Sequence, residues 1–193
     1  MKILISSCVY GNDVRWNGSS RRYQEIHDWA EEQGFELVPV CPEHELFGTP
    51  RKSIRLRQKG DEVLGIMGNQ EVFGQLKDKC KEIADRYQGV VGFIGFSNSP
   101  SCGLSTGVKA RGSTIKAPMH QNLDCPTTEA SSMRTEANRN RFLERIKKYI
   151  WYDIVLPRIS NNKWIDLLHS SRTTIRTSDR MEFKRFWEPT RKR

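Results

Sequence analysis

The chain predicts an α/β fold: a domain with a mainly parallel sheet and a ligand site at the carboxyl ends of its strands. Three observations predict it. The 193 residues suit one domain of ordinary size with a core large enough to need no staples. Three short apolar runs, KILIS, ELVPV and GVVGFIGFS, are separated by stretches with helical spacing. Each run is followed by, or ends just before, a cysteine: Cys8, Cys41 and Cys102.

Lys2 to Ser7 reads as a first buried strand. Ser19 or Ser20 can cap a helix running to about Glu32, with Tyr23, Ile26, Trp29 and Ala30 on one face, and Gly34 ends it. Phe35 to Val40 reads as a second strand, which a right-handed crossover places parallel to the first. Cys41 to Gly68 reads as a long polar connection with two prolines, whose length points to a functional loop or lid. Asn69 to Tyr87 has Val72, Phe73, Leu76, Cys80, Ile83, Ala84 and Tyr87 at helical spacing. Gly89 to Phe96 is the third strand. Ser97 to Ser132, rich in Ser, Gly and Pro, reads as irregular and is expected to cover the site. A third helix is predicted from about Thr135 to Tyr152, with Phe142, Leu143, Ile146, Tyr149 and Ile150 on its apolar face. The domain is expected to span residues 1–155, and residues 156–193 to form a basic C-terminal extension.

With 36% hydrophobic and 28% charged residues, the composition is that of a folded globular chain and excludes a disordered one. No apolar run nears the ~20 residues needed to cross a bilayer, and MKILISS lacks a signal-peptide core. A cytoplasmic protein without membrane association is expected. Five cysteines in a reducing compartment favour ligands or buried apolar residues over disulfides. The net charge of +9 is concentrated at one end: from Pro126 to Arg193 there are 16 Lys and Arg against 8 Asp and Glu. Such a segment suits either contact with a polyanion such as RNA or a solvated helix face with a frayed tail.

In doubly wound folds the loops at the carboxyl ends of the strands form the binding crevice, and the three strand-end cysteines fall there. One such cysteine reads as a small buried residue; three in the same topological position point to a metal. Cys80 falls on a helix core face, and Cys125 in a loop with no predicted strand before it. Three thiolates suit soft metals, zinc or an iron–sulfur cluster. Zinc sites usually draw on close pairs such as CxxC, and none is present. A cubane on three cysteines leaves one iron open to substrate.

Four segments then carry a resemblance: Ser7-Cys8-Val9-Tyr10-Gly11, Arg15-Trp16-Asn17-Gly18, Val38-Pro39-Val40-Cys41-Pro42-Glu43 and Ser99-Pro100-Ser101-Cys102-Gly103. In this order they resemble the motifs of the thiouracil desulfidase family, over roughly the first 150 residues. The resemblance implies a Rossmann-like, three-layer domain, a [4Fe-4S] cluster on Cys8, Cys41 and Cys102 at the carboxyl ends of the strands, and non-redox removal of sulfur from a thiolated uracil base or nucleoside. It makes Glu43 and Ser99 the catalytic candidates, with Glu43 positioned to take a proton from the attacking water. Read alone, without the motifs, Glu43 better suits a helix-capping or solvated loop carboxylate, and Ser99 a turn-former before Pro100. Arg15, Asn17, Asn98 and Ser101 are candidates for binding the substrate, and Trp16 for stacking on it or packing the loop. One position departs from the family: a cysteine common three residues after the motif glycine is replaced here by Val14.

Pro126 to Tyr149 is similar to longer relatives that act on 4-thiouridine in tRNA, which makes thiolated tRNA the alternative substrate. Two readings from other classes stand beside the enzyme. One is an RNA-binding protein with a purely structural metal site; the other is a redox sensor that reads out loss of an exposed cluster.

Overall fold

The computed structural model describes residues 1–60, 62–106, 109–110 and 113–155. The expected extension, 156–193, lies outside the described residues. The chain divides into two compact units, Met1–Phe142 and Leu143–Arg193. Every candidate site residue belongs to the first.

In chain order the elements are β1 (Lys2–Ser6), α1 (Ser7–Tyr10), α2 (Gln24–Glu32), β2 (Glu36–Val40), α3 (Pro42–Phe47), β3 (Ile54–Lys59), β4 (Glu62–Met67), β5 (Gln70–Glu71) and α4 (Phe73–Arg86). They continue with β6 (Gly92–Gly95), β7 (Lys109–Ala110), β8 (Ser113–Thr114), α5 (Pro118–Asn122), β9 (Thr127–Glu129), a 3-10 turn at Ser132–Arg134 and α6 (Glu136–Tyr149). A π-helical turn, Ile150–Val155, follows α6.

The main sheet has the order β2-β1-β6-β9 and every pairing is parallel, so the α/β expectation holds. Ile3, Leu4 and Ile5 of β1 are all fully buried, as are Phe93 and Ile94 of β6. Consecutive burial means both faces of these strands are covered, which is why they read as unbroken apolar runs. Pro39 lies opposite Ile5 in β2, an edge strand, where the absent N–H breaks no inner ladder. On α4, Phe73, Leu76, Cys80, Ile83 and Ala84 form one buried face, as their helical spacing predicts. On α2, Ile26, Trp29 and Ala30 do the same, and the Trp29 ring meets Phe35 and Phe142.

The structure corrects four expectations. The first helix starts at Gln24 and Tyr23 is its N-cap, not Ser19 or Ser20. The preceding backbone is tied instead to α1: Arg21 N–H donates to the Cys8 carbonyl at 2.8 Å and Tyr23 N–H to that of Val9 at 3.3 Å. The segment Cys41 to Gly68 is no structureless lid: it holds α3 and the antiparallel hairpin β3–β4, to which β5 adds a third strand. The second helix starts at Phe73 rather than Asn69, because Gln70 and Glu71 pair with Met67 and Ile66. Glu71 then caps the helix, its Oε1 accepting from Phe73 N–H at 2.8 Å. Finally, the stretch after the third strand contains α5 and a fourth parallel strand, β9, whose Thr127–Glu129 lies beside Phe93–Gly95.

Candidate active site

The strand order places β2, β1 and β6 side by side, so the loops that leave their carboxyl ends are neighbours. They enclose a cavity of about 370 Å3 lined by Cys8, Cys41 and Cys102 together with Glu43, Ser99 and Ser101. Arg15, Trp16 and Asn98 also line it. Asn17 does not: its Oδ1 accepts from the Ser19 backbone N–H and hydroxyl, closing a turn outside the cavity.

Each cysteine is held by a different local device. Cys8 follows β1 by two residues and is buried in the first turn of α1. Cys41 directly follows β2 and is the N-cap of α3, its Sγ accepting from His44 N–H at 3.4 Å. Cys102 is buried in the loop after β6, with Ser101 Oγ 3.4 Å from its Sγ. Burial pushes the Cys8 thiol up to about 12; neighbouring Cys41 adds to this and Arg15 opposes it. Burial likewise pushes Cys41 up to about 11, against the His44 N–H. Cys102 is raised by burial and then by Cys41. As free thiols the three therefore hold their protons at neutral pH, and a cationic group between them is what would draw the protons off.

Glu43 sits in the first turn of α3 and is buried. Both of its oxygens are engaged. Oε2 is 2.8 Å from Arg51 Nη2, a pair whose side chains are only 12% and 5% exposed. Oε1 accepts from Ser101 Oγ at 2.8 Å and from Ser99 Oγ at 3.2 Å. The Ser99 oxygen in turn accepts from the backbone N–H groups of Ser101 and Cys102, so this serine both forms the turn and touches the carboxylate. Asn98, exposed and in the left-handed region at φ 59°, is an Asn where that conformation is tolerated. The Arg15 guanidinium lies over the Phe96 ring, 5.2 Å from its centroid, and its Nη1 donates to Ser19 Oγ. Trp16 is 48% exposed at the mouth.

Arg51 is the residue that sequence reasoning missed. Its Nη1 serves the carbonyls of Val14 and Gly48 at 2.9 and 3.0 Å and Thr49 Oγ1 at 3.3 Å, tying the Arg15–Trp16 loop to the end of α3. Eight residues beyond Glu43 and across a turn, it has no periodic relation to the carboxylate that a sequence pattern would reveal.

The model of the 2-thiouracil desulfurase family matches residues 3–130, which contain every candidate residue and the parallel sheet except Lys2. The chain belongs to the 2-thiouracil desulfurase family. Its fold is also that of a solved structure, the [4Fe-4S]-dependent thiouracil desulfidase TudS, with a TM-score of 0.56 at 20% identity; the match covers 74% of this chain and 97% of that one. No curated protein sequence matches the chain. The position common to a cysteine in the desulfidase family is here Val14, buried in the cavity wall, where its carbonyl accepts from Arg51. No helix among the described residues is long and apolar enough to cross a membrane.

Proposed function

We propose that this desulfurase-family chain removes sulfur from a thiolated uracil, as the free base or nucleoside, by hydrolysis without electron exchange, on a [4Fe-4S] cluster held by Cys8, Cys41 and Cys102. The observation that supports this reading most is the meeting of three cysteines, Cys8 and Cys102 buried and Cys41 partly so, with one buried, fully hydrogen-bonded carboxylate in a single cavity. The donor set fits a cluster. Three soft ligands on separate elements suit a group that each binds at a different atom. When bound, such a cluster supplies a Lewis-acidic iron with no protein ligand, to which a thiocarbonyl sulfur can attach.

The chain's own groups supply the rest. Thiocarbonyl plus water gives carbonyl plus hydrogen sulfide, so the attacking water must lose a proton as it bonds to the ring carbon. Glu43 Oε1 takes that proton, directly or through the Ser99 hydroxyl that already touches it. Arg51 holds the other carboxylate oxygen and so fixes which one faces the reaction. Trp16, exposed at the mouth, stacks on the base, and the Asn98 amide and Arg15 bind its polar edge.

The test is anaerobic reconstitution followed by incubation with 2-thiouracil, 4-thiouracil, 4-thiouridine and thiolated tRNA. Sulfide and the corresponding uracil product are expected from at least one. No sulfide from any of them would falsify the proposal, and stoichiometric zinc without acid-labile sulfide would favour a structural metal site in an RNA-binding protein. Glu43→Gln is expected to lower turnover by ~10²–10⁴-fold while the cluster absorption stays. Unchanged turnover removes Glu43 from the mechanism.

A second reading, 4-thiouridine in tRNA, is favoured by a groove of about 610 Å3 that shares Trp16, Arg51 and Ser53 with the cavity. Lys52, Arg55 and Arg57 line it. Arg55 and Arg57 alternate with Ile54 and Leu56 on β3 and face Ile66 and Leu64 across the ladder, so no carboxylate opposes them there. If tRNA binds here, Arg55→Ala and Arg57→Ala each lower the slope of log K against log salt by about 1 and leave free-base turnover alone. Equal salt slopes for the variants and the parent would remove the groove from RNA binding.

A further inference from the structure

His120 belongs to none of the motifs and does not line the cavity, yet it is buried and bonded to a candidate ligand's backbone. Its Nε2 lies 2.8 Å from the Cys102 carbonyl oxygen. The bond is one of three in a row. Ala117 N–H donates to the Gly103 carbonyl at 2.9 Å and Met119 N–H to the Ser101 carbonyl at 3.1 Å. The segment entering α5 therefore takes three consecutive carbonyls, 101 to 103, of the loop that carries the third cysteine. On the other side of the same residue, Cys102 N–H donates to Ser99 Oγ at 3.2 Å. The cysteine's backbone is held from both ends, and among the described residues His120 provides the one side-chain bond at its carbonyl end.

The chemistry of the pair sets the state of the ring. A carbonyl only accepts, so Nε2 carries the proton and the neutral ring has a bare Nδ1. That Nδ1 is buried with no hydrogen-bond partner among the described residues. Leaving a buried polar atom unpaired is unfavourable, so the imidazole sits in a place that its packing alone does not favour. The Phe93 ring, tilted 59° at 5.0 Å, fixes the imidazole from the strand side. Gly95 makes the room: a Cβ there would lie 2.8 Å from Nε2 and 1.9 Å from the Cys102 oxygen.

We infer that His120 is a positioning residue whose Nε2–H, by fixing the Cys102 carbonyl, directs the third thiolate at the cavity. This rests on the proposed role of Cys102 as a cluster ligand. A donor that holds a ligand residue in place typically accounts for 10–100-fold in metal affinity.

The test uses the full chain with His120→Phe, which keeps an aromatic ring against Phe93 but has no donor, and His120→Gln, which restores an N–H at about the same reach. In reconstituted protein, iron loss to a chelator is expected to be roughly 10–100-fold faster for the Phe variant and near the parent rate for Gln. In cluster-free protein, iodoacetamide mapping is expected to show an altered ratio of Cys102 to Cys41 alkylation for Phe and the parent ratio for Gln. If the parent itself takes up no cluster, the cluster reading fails while the alkylation ratio still decides the role of His120. A Phe variant with the parent's ratio and iron retention overturns the inference, as does a Gln variant that behaves like Phe. Histidine labelled with 15N in the parent chain gives a check that needs no variant to fold: the Nε2–H tautomer at His120 is expected, and the Nδ1–H tautomer overturns it.

Discussion

Gly95→Ala is expected to unseat Cys102 and to destabilise the domain by about 3 kcal/mol, at or beyond the upper end for overpacked sites. Gly95 is the last residue of β6 and pairs with Glu129 of β9, and its carbonyl accepts from Ala130 N–H at 2.8 Å. The strand therefore cannot retreat without breaking the sheet. The added methyl would stand 1.9 Å from the Cys102 carbonyl oxygen and 3.1 Å from its carbon. These are backbone atoms, so no rotamer change relieves the clash and the cysteine loop must move. Movement there breaks the bonds of Ser99 and His120 to Cys102. For a chain of this size, ~3 kcal/mol corresponds to a fall of roughly 6–12 °C in Tm. Iron retention and sulfide release are expected to fall with it. Gly74→Ala is the control: it lies in the first turn of α4 with nothing within 4 Å of the added carbon, so it should be neutral or stabilise by up to ~1 kcal/mol. If both variants melt like the parent and hold their iron, the loop yields more easily than its contacts indicate.

The legible part of this fold was what burial writes as an apolar run. β1 and β6 are short and covered on both faces, and β2, a partly covered edge strand, is still mostly apolar, so hydrophobicity alone marked all three, and a cysteine followed each. Their order β2-β1-β6 was not legible, because nothing in a parallel strand names its neighbour; only the pairing of Ile5 with both Pro39 and Ile94 makes the three cysteines adjacent. β3 escaped notice because Arg55, Arg57 and Lys59 hide a period-two pattern in which Ile54 and Leu56 are the partly covered positions. β9 is three residues of Thr and Glu whose strand character comes wholly from pairing with β6. Within the site, the family motifs brought eight candidate residues to the cavity wall, and Asn98, just before the last motif, is a ninth. Asn17 was the exception because its motif position serves the turn that presents Trp16. Arg51 and His120 act through contacts that span a turn or eighteen residues, which no local pattern encodes.

Arg51→Met is expected to cost about 3–5 kcal/mol, since it leaves the buried Glu43 charge without its partner. The pair itself is not a large source of net stability, because desolvating both charges offsets much of their attraction; breaking one side is what costs. This predicts a specific non-additivity. Glu43→Gln keeps an acceptor for Ser99 and Ser101 but carries no charge, so in its presence the loss of Arg51 removes only the bonds to Val14, Gly48 and Thr49. The double variant should thus be more stable than the sum of the singles, with a coupling of about 2–3 kcal/mol in urea unfolding. Turnover should show the same pattern. Arg51→Met is expected to lower kcat because the carboxylate loses its fixed orientation, whereas adding it to Glu43→Gln should have little further effect, since the proposed base is already gone. Stabilities and turnovers that simply add would mean that Arg51 braces the Trp16 loop and leaves Glu43 unaffected. In that case the effect should fall on KM, through the stacking platform, and not on kcat. The split between the two constants therefore separates a guanidinium that orients the base from one that only closes the wall around it.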